Sequence, residues 1–236
     1  AYVEKQSGPT NQEEPSYAHA VGAVYRNSDP SDIVVTAAGG LVGEVVQVWK
    51  PKQLNTFETE WGFSCMGYEI SGALGIKMAK PDQDVVVFVG DGSYLLNNTD
   101  IYSSVIYDQK LIIIVCDNGG HMVINRLQLA KGGKEYICNL RAARATNLKF
   151  VDFENHAKSM GANAETVSST SELEAAYKRA KDSDKTYVIT IKTHGYEWLE
   201  GTAFWESPTL QDPITANNKS ALEDFESGKS KQRKGV

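Results

Sequence analysis

The chain has 236 residues, 41% of them hydrophobic, which is enough for one sizeable α/β domain but not for three. Its formal net charge is −6, with both signs spread along the chain, and this argues against nucleic-acid binding as a main role. No apolar run reaches membrane-spanning length and no signal peptide is visible, so no membrane association is expected. Three cysteines without metal-ligand spacing, Cys65, Cys116 and Cys138, fit a reduced, cytoplasmic protein.

The order of predicted elements indicates an α/β fold. Residues 1–15 are polar and rich in turn formers, so we expect a linker there, followed by a short amphipathic helix over 16–26. Strands and helices then alternate to about His194, which predicts a doubly wound, mainly parallel sheet flanked by helices. We therefore expect a folded domain over 16–205 and a polar C-terminal tail over 206–236.

The first predicted strand, Ile33 to Thr36, ends in small residues and is followed by a helix over 42–49. Glycines at such a turn let the backbone approach phosphate oxygens, which makes Gly39 and Gly40 candidate ligand contacts. An ordinary turn between strand and helix explains the same residues, and the sequence alone leaves both interpretations open.

A second small-residue segment follows Ser64-Cys65-Met66-Gly67-Tyr68 and predicts a tightly packed helix over Glu69 to Ala79. Met66, Ile70, Ala73 and Lys77 share one face at helical spacing. On this pattern alone, Met66 is expected to fill the core.

Two apolar strands end in polar residues that suit a cation. Val85 to Val89 leads directly into Gly90-Asp91-Gly92-Ser93, and Leu111 to Val115 leads into Asp117-Asn118. In an open parallel sheet both sets lie at the carboxyl edge, where ligands bind. Oxygen ligands beside glycine-rich turns suit a hard cation that carries a diphosphate.

The helix that follows has further polar residues near its start. Ser93 is a candidate helix cap or phosphate contact, and these two roles are compatible. Asn97-Asn98 lies too close to Asp91 to supply a metal ligand, so we interpret it as solvated helix surface. Farther along, Ser171 and Glu174 predict a capping box for a later helix.

These motifs together resemble the cofactor-binding domain of thiamine diphosphate enzymes, where Gly-Asp-Gly is followed after a fixed interval by Asn-Asn or Asp-Asn. Here Asn118 follows Asp91 by 27 positions (118 − 91). The resemblance implies thiamine diphosphate and Mg²⁺ as cofactors, with Asp91, the side chain of Asn118 and the backbone carbonyl of Gly120 on the metal. It also implies that Met66 supports the bent cofactor and that the carbonyl of Ser64 accepts a hydrogen bond from its aminopyrimidine.

The remaining cofactor contacts implied by the resemblance lie on the same turns. His121 is in addition a possible acid–base group, although a lone histidine is more often structural. The implied contacts are Gly39, Gly40, Leu41, Cys65, Gly90, Gly92, Ser93, His121 and Met122.

A longer match points to one branch of the family. The runs Phe63 to Glu69, Asn125 to Gln128 and His194 to Tyr196 resemble the trihydroxycyclohexane-dione hydrolases of inositol breakdown. This implies hydrolytic cleavage of the C–C bond between the carbonyls of a cyclic 1,2-diketone, giving 5-deoxyglucuronate. An acetolactate synthase-like carboligase, a 2-oxoacid decarboxylase domain and a non-catalytic cofactor-binding subunit remain alternatives. A nicotinamide site is disfavoured because Ser93-Tyr94-Leu95 supplies no third glycine.

The resemblance also implies what this chain lacks. In the family, a glutamate on a separate pyrimidine-binding domain activates the cofactor, and no glutamate here is assigned that role. We therefore expect the C-terminal part of a longer enzyme, or a separate subunit, that is inactive alone and works with that domain in a homo-oligomer. Two segments stay undecided: residues 124–147, and the tail, where Trp198, Phe204 and Trp205 either pack against a neighbour or belong to a disordered end.

Overall fold

The computed structural model describes residues 1–200 and 209–232, so Phe204 and Trp205 lie outside the described residues. The chain divides into two compact units, one of residues 1–120 and 149–199 and the other of residues 121–148 and 200–236. The six strands all belong to the first unit and are β1 (Ile33–Thr36), β2 (Phe57–Thr59), β3 (Val85–Gly90), β4 (Ile112–Asp117), β5 (Asn163–Val167) and β6 (Tyr187–Lys192). The helices described are α1 (Tyr2–Gln6), α2 (Tyr17–Arg26), α3 (Gly39–Val48), α4 (Tyr68–Ala79), α5 (Asp91–Leu96), α6 (Thr99–Ile106), α7 (Met122–Ala130), α8 (Phe153–Ser159), α9 (Thr170–Asp182) and α10 (Ala216–Ser230).

The first unit is built on one parallel sheet with the strand order β2-β1-β3-β4-β6-β5. All its pairings are parallel, and β3 and β4 are in register from Val86 opposite Ile112 to Gly90 opposite Cys116. Each crossover carries at least one helix, as a parallel sheet requires. The predicted doubly wound α/β fold is confirmed.

Alternate strand residues enter two separate cores because successive side chains point to opposite faces of the sheet. On β3, Val86 and Phe88 pack with α2, α3 and α9, whereas Val85, Val87 and Val89 pack on the other face with residues of α4, α6 and α8. Both faces of the central strands are therefore buried, which explains why their sequences read as continuous apolar runs.

The chain forms a helix where a linker is expected from the sequence. Helix α1 lies within residues 1–15 and packs beside α2. Arg26 Nη1 donates to the carbonyl of Ser7 at 2.6 Å. Gly22 makes the close approach possible, since a Cβ there would lie 2.0 Å from the same carbonyl oxygen. The contact involves the backbone of Ser7 and the partly buried side chain of Val3, so the polar composition of this segment gives little sign of it.

Two local predictions are wrong in detail. Helix α9 is capped by Ser169, whose side chain accepts from the backbone of Glu172 at 3.2 Å, so the capping box expected at Ser171 and Glu174 does not form. The chain also breaks between α5 and α6, and Asn97 turns inward there to donate to the hydroxyl of Ser71 at 2.9 Å. Asn97 is therefore a packing contact between helices and not solvated helix surface.

The second unit is helical in its described part. It contains α7, a 3₁₀ turn at Leu140–Ala142 and α10, which lies in the predicted polar tail. The side chain of Asn218 donates to the carbonyl of Lys131 at 3.2 Å and so joins α10 to the end of α7. None of the helices described in residues 1–200 and 209–232 is long and apolar enough to cross a membrane.

Candidate cofactor and metal site

The carboxyl ends of β3 and β4 bring three predicted metal ligands together. Asp91 follows β3 directly and opens α5, and Asn118 follows β4 directly. Both side chains are buried, with 3% of Asp91 exposed. Gly120 lies two residues beyond Asn118 with a positive φ of 141°, so its turn takes a conformation that favours glycine.

The amide of Asn118 lies at the centre of this cluster. Its end nearer the strand tips is 3.3 Å from Asp91 Oδ1 and 3.0 Å from the carbonyl oxygen of Gly120. Its other end is 2.6 Å from the hydroxyl of Tyr17, on α2. One orientation of the amide places an oxygen towards Asp91 and Gly120, and the other places a nitrogen there.

The oxygen-inward orientation has the donor set and spacing of a magnesium site. Mg²⁺ binds oxygens at about 2.1 Å in an octahedron, which puts neighbouring ligand oxygens about 3 Å apart. The separations of 3.0 and 3.3 Å match this spacing, and no hydrogen lies between the three oxygens in this orientation. A carboxylate, an amide and a backbone carbonyl also have the chemistry that a hard cation prefers. The residues present therefore fit the metal.

Burial makes Asp91 a costly charge without a cation. Desolvation, then the nearby charge of Asp117, raises the pKa of Asp91 from 3.8 to about 7, although backbone N–H groups of Gly120 and Gly92 oppose the shift. Asp117 points into the same loop, and its Oδ1 accepts from the backbone of Gly119 at 3.0 Å. A cation bound here would offset the charge that burial disfavours.

Sequence reasoning missed a second buried carboxylate at this edge, Glu69, in the first turn of α4 and 1% exposed. It accepts from Ser93 Oγ at 2.9 Å, from the backbone of Gly67 at 2.9 Å and from the backbone of Ala38 at 3.2 Å. These donors belong to the turns that follow β1, precede α4 and follow β3. Glu69 therefore ties together three turns that the sequence associates with the cofactor. A glutamate in a helix first turn is usually solvated, so no sequence signal separates this one from a surface residue.

Ser93 is not the cap of α5. The cap position belongs to Gly90, and Ser93 is the third residue of the helix. Its hydroxyl donates to Glu69 and accepts from the backbone of Gly67 at 2.9 Å. Gly67 has a φ of 94°, and a Cβ there would lie 2.6 Å from Cβ of Asn97, so only glycine fits this turn.

The loop before α4 carries the predicted pyrimidine contacts. Met66 does not lie on the helical face with Ile70 because α4 begins at Tyr68, and 37% of Met66 is exposed. Ser64 has a positive φ of 52°, and the neighbouring backbone of Cys65 donates to Glu60 at 2.8 Å. The structure thus places these residues on an exposed turn, and their contacts with the cofactor stay a prediction.

The other predicted contacts lie in different places. Gly39 and Gly40 form the first turn of α3, and Leu41, next along it, is buried. His121 and Met122 belong to the second unit. There, His121 precedes α7, is exposed and donates its backbone N–H to the carbonyl of Cys138 at 2.8 Å, while Met122 is buried.

Comparison with known proteins identifies the class of protein. A family model described as "Thiamine pyrophosphate enzyme, C-terminal TPP binding domain" matches residues 37–191. The chain belongs to this family. In solved structures, its fold is similar to a thiamine diphosphate-dependent 4-hydroxybenzoylformate decarboxylase from Rhodococcus jostii RHA1, with a TM-score of 0.65, 18% identity and coverage of 78% of this chain and 34% of that one.

Curated relatives are similar over most of the chain. It is 36% identical to a 3D-(3,5/4)-trihydroxycyclohexane-1,2-dione hydrolase of Lacticaseibacillus casei, over 97% of this chain and 35% of that protein. It is also 36% identical to the hydrolase of that name from Bacillus subtilis (strain 168), over 80% of this chain and 31% of that protein. The chain thus spans about a third of the length of these relatives. The predicted resemblance, to the family and to this branch, is confirmed.

Proposed function

We propose that this chain provides the diphosphate- and magnesium-binding half of a thiamine diphosphate-dependent hydrolase that cleaves a cyclic 1,2-diketone. The observation that carries the metal site is the convergence of oxygens from Asp91, Asn118 and Gly120 at the tips of β3 and β4. In the proposal these three groups hold Mg²⁺, and Mg²⁺ holds the diphosphate at the same edge of the sheet.

The chain's own residues bind and orient in this proposal. Gly39, Gly40 and Leu41 begin α3, and Gly90, Gly92 and Ser93 begin α5, so both turns present backbone N–H groups to a diphosphate. The carbonyl of Ser64 and the side chains of Cys65 and Met66 serve the aminopyrimidine side. When bound, the cofactor supplies a thiazolium carbon that adds to a carbonyl group and stabilises the resulting negative charge.

The substrate is proposed from the relatives. The similar curated proteins are named as hydrolases of trihydroxycyclohexane-1,2-dione, and the similarity spans 97% of this chain in one of them. Hydrolysis of that dione to 5-deoxyglucuronate is therefore the favoured reaction. The decarboxylase among the solved structures is only 18% identical and supports the fold alone, so it does not favour a carboligase or a 2-oxoacid decarboxylase.

The proposal includes a partner domain. The activating glutamate is assigned to a pyrimidine-binding domain in the same or another chain of a homo-oligomer, which faces the domain over 16–205. Large apolar side chains of the first unit are exposed and support such a contact. They include Trp61, Phe63 (90% exposed), Leu95, Leu96 and Tyr102. Three unpaired cysteines support a cytoplasmic location.

Calorimetric titration of thiamine diphosphate with Mg²⁺ tests the cofactor site. Because half of the pocket is assigned to another domain, the titration uses this chain together with that domain. Asp91→Asn removes the metal-binding carboxylate, and Asp108→Asn is a matched control because Asp108 is exposed at the end of α6. We expect saturable, magnesium-dependent heat from the wild type and Asp108→Asn, and none from Asp91→Asn. Heat that survives in Asp91→Asn, or is absent from the wild type, contradicts the proposed site.

A substrate panel separates the reactions. The same protein is supplied with the cyclic dione or with a 2-oxoacid, and ring opening is followed as acid release. Consumption of the dione without release of carbon dioxide supports the hydrolase. Turnover of the 2-oxoacid alone overturns the substrate assignment while leaving the cofactor site in place.

A further inference from the structure

Tyr17 is the residue whose placement the proposed function does not use. It opens α2 and is 5% exposed among the apolar residues of one core, yet its hydroxyl reaches the carboxyl edge of the sheet. The hydroxyl lies 2.6 Å from the amide of Asn118. It is also close to the end of β3, since a Cβ at Gly90 would lie 3.8 Å from it. The buried hydroxyl of Tyr17 is therefore within hydrogen-bond distance of Asn118, a proposed metal ligand.

The amide of Asn118 has different partners in its two orientations. With nitrogen inward, it donates to Asp91 Oδ1 and to the carbonyl of Gly120, and its oxygen accepts from the hydroxyl of Tyr17. With oxygen inward, the three oxygens suit a cation, and the outward nitrogen donates to the same hydroxyl. The hydroxyl of Tyr17 can fill both roles because it carries one donor and two acceptor sites.

We propose that the amide of Asn118 reverses when the cation binds, and that Tyr17 is the positioning residue whose hydroxyl partners it in both orientations. This inference rests on the proposed magnesium site. Without a cation, the nitrogen-inward orientation avoids three facing oxygens and satisfies the carboxylate. With a cation, the oxygen must turn inward, and a buried NH₂ group then needs the acceptor that Tyr17 provides.

The chemistry of the hydroxyl suits both orientations of the amide. A tyrosine hydroxyl ionises only at about pH 10, so the hydroxyl of Tyr17 retains its proton at neutral pH. The neutral group can donate in one state and accept in the other. Phenylalanine at this position keeps the ring in the core and removes only the hydroxyl.

Nuclear magnetic resonance on the protein with ¹⁵N-labelled asparagine tests the reversal. The NH₂ signals of Asn118 are identified by their disappearance in Asn118→Asp, and spectra are recorded with and without saturating Mg²⁺. We expect Mg²⁺ to move these signals in the wild type. In Tyr17→Phe, the metal-free signals move only slightly, because the NH₂ group keeps Asp91 and Gly120 as acceptors and only the donor to the amide oxygen is lost. The metal-bound signals move further upfield, because there the acceptor of the NH₂ group itself is lost.

Tyr25→Phe is the matched control, since Tyr25 lies on the same helix but packs edge-on against Trp49 away from the amide. It should leave both spectra unchanged. Metal-bound signals that coincide in the wild type and Tyr17→Phe overturn the inference. If Tyr17→Phe does not fold, the wild type decides: signals unmoved by Mg²⁺ overturn the reversal.

Calorimetry with Mg²⁺ keeps this inference separate from the proposed site. If the wild type binds Mg²⁺ and Asp91→Asn does not, but the Asn118 signals do not move with Mg²⁺, the reversal alone is refuted. If the wild type does not bind Mg²⁺, or binds it no better than Asp91→Asn does, both the proposed magnesium site and the reversal are refuted.

Discussion

Replacing Asp91 by asparagine should stabilise the metal-free fold at neutral and alkaline pH while abolishing stabilisation by Mg²⁺. The pKa of Asp91 is raised from 3.8 to about 7, chiefly by burial. Below pH 3.8 the carboxyl is protonated in both states and costs nothing. As the pH rises, the unfolded chain ionises first, so folding becomes less favourable until the folded carboxyl also ionises near pH 7.

The magnitude follows from the size of the pKa change. A difference of about three pKa units, at about 1.4 kcal/mol for each, is worth up to about 4 kcal/mol above pH 7. Asparagine is nearly isosteric and carries no charge, so Asp91→Asn should gain a large part of this in EDTA and show a flatter pH dependence between about 4 and 7. Mg²⁺ should raise the stability of the wild type alone, because a ligand stabilises only the state that binds it.

Urea unfolding followed by circular dichroism, in EDTA and in Mg²⁺ from pH 4 to pH 8, measures this. Asp184→Asn is the control for stability, since Asp184 is an exposed carboxylate in the turn after α9 and its replacement should change the free energy of unfolding by less than about 0.5 kcal/mol. If Asp91→Asn is no more stable than the wild type at pH 8 in EDTA, the buried charge does not carry the cost assigned to it.

Two further predictions concern the turns around the site. Glu69→Gln should lower the free energy of unfolding by about 2 kcal/mol, because its NH₂ group replaces one carboxylate oxygen and then faces the hydroxyl of Ser93 and one backbone N–H, that of Gly67 or Ala38. Glu223→Gln on an exposed face of α10 should have little effect, so equal urea midpoints for the two variants would contradict the assigned network. Gly67→Ala should destabilise the fold by more than 1 kcal/mol, because position 67 has a positive φ and the added Cβ would clash with Asn97, whereas Gly75→Ala, in open space on α4, should stabilise it by about 0.5–1 kcal/mol. A higher melting temperature for Gly67→Ala than for Gly75→Ala would refute this.

The sequence predicts well where local pattern and topology agree. β3 and β4 are recognisable because Val85 to Val89 and Leu111 to Val115 are continuous apolar runs rich in branched residues, as expected for strands buried on both faces. Since parallel strands end at the same edge, the residues after them, Asp91 and Asn118, are predicted to meet, and the structure brings them together.

The rest depends on tertiary contacts that no local pattern encodes. Tyr17 and Asn118 lie 101 positions apart, and nothing near Tyr17 indicates that its hydroxyl reaches the loop after β4. Ser169 and Ser171 are equally suited to cap a helix, so their side chains alone do not indicate that α9 begins after Ser169. Met66 fits the helical period of the residues that follow it, but α4 begins only at Tyr68, because Gly67 is its N-cap and has a left-handed conformation.

The carboxylate of Glu69 has a consequence for how this branch can change during evolution. A glutamate at position 69 is useful only while position 93 offers a hydroxyl and position 67 offers an N–H in its left-handed turn. Losing any one of them leaves a buried carboxylate with too few hydrogen-bond donors, so a substitution at one of these positions destabilises the fold unless the others change with it. Sequences that replace Glu69 with an uncharged residue should therefore also differ at position 93, and these positions are best exchanged as a set when turns are moved between related enzymes.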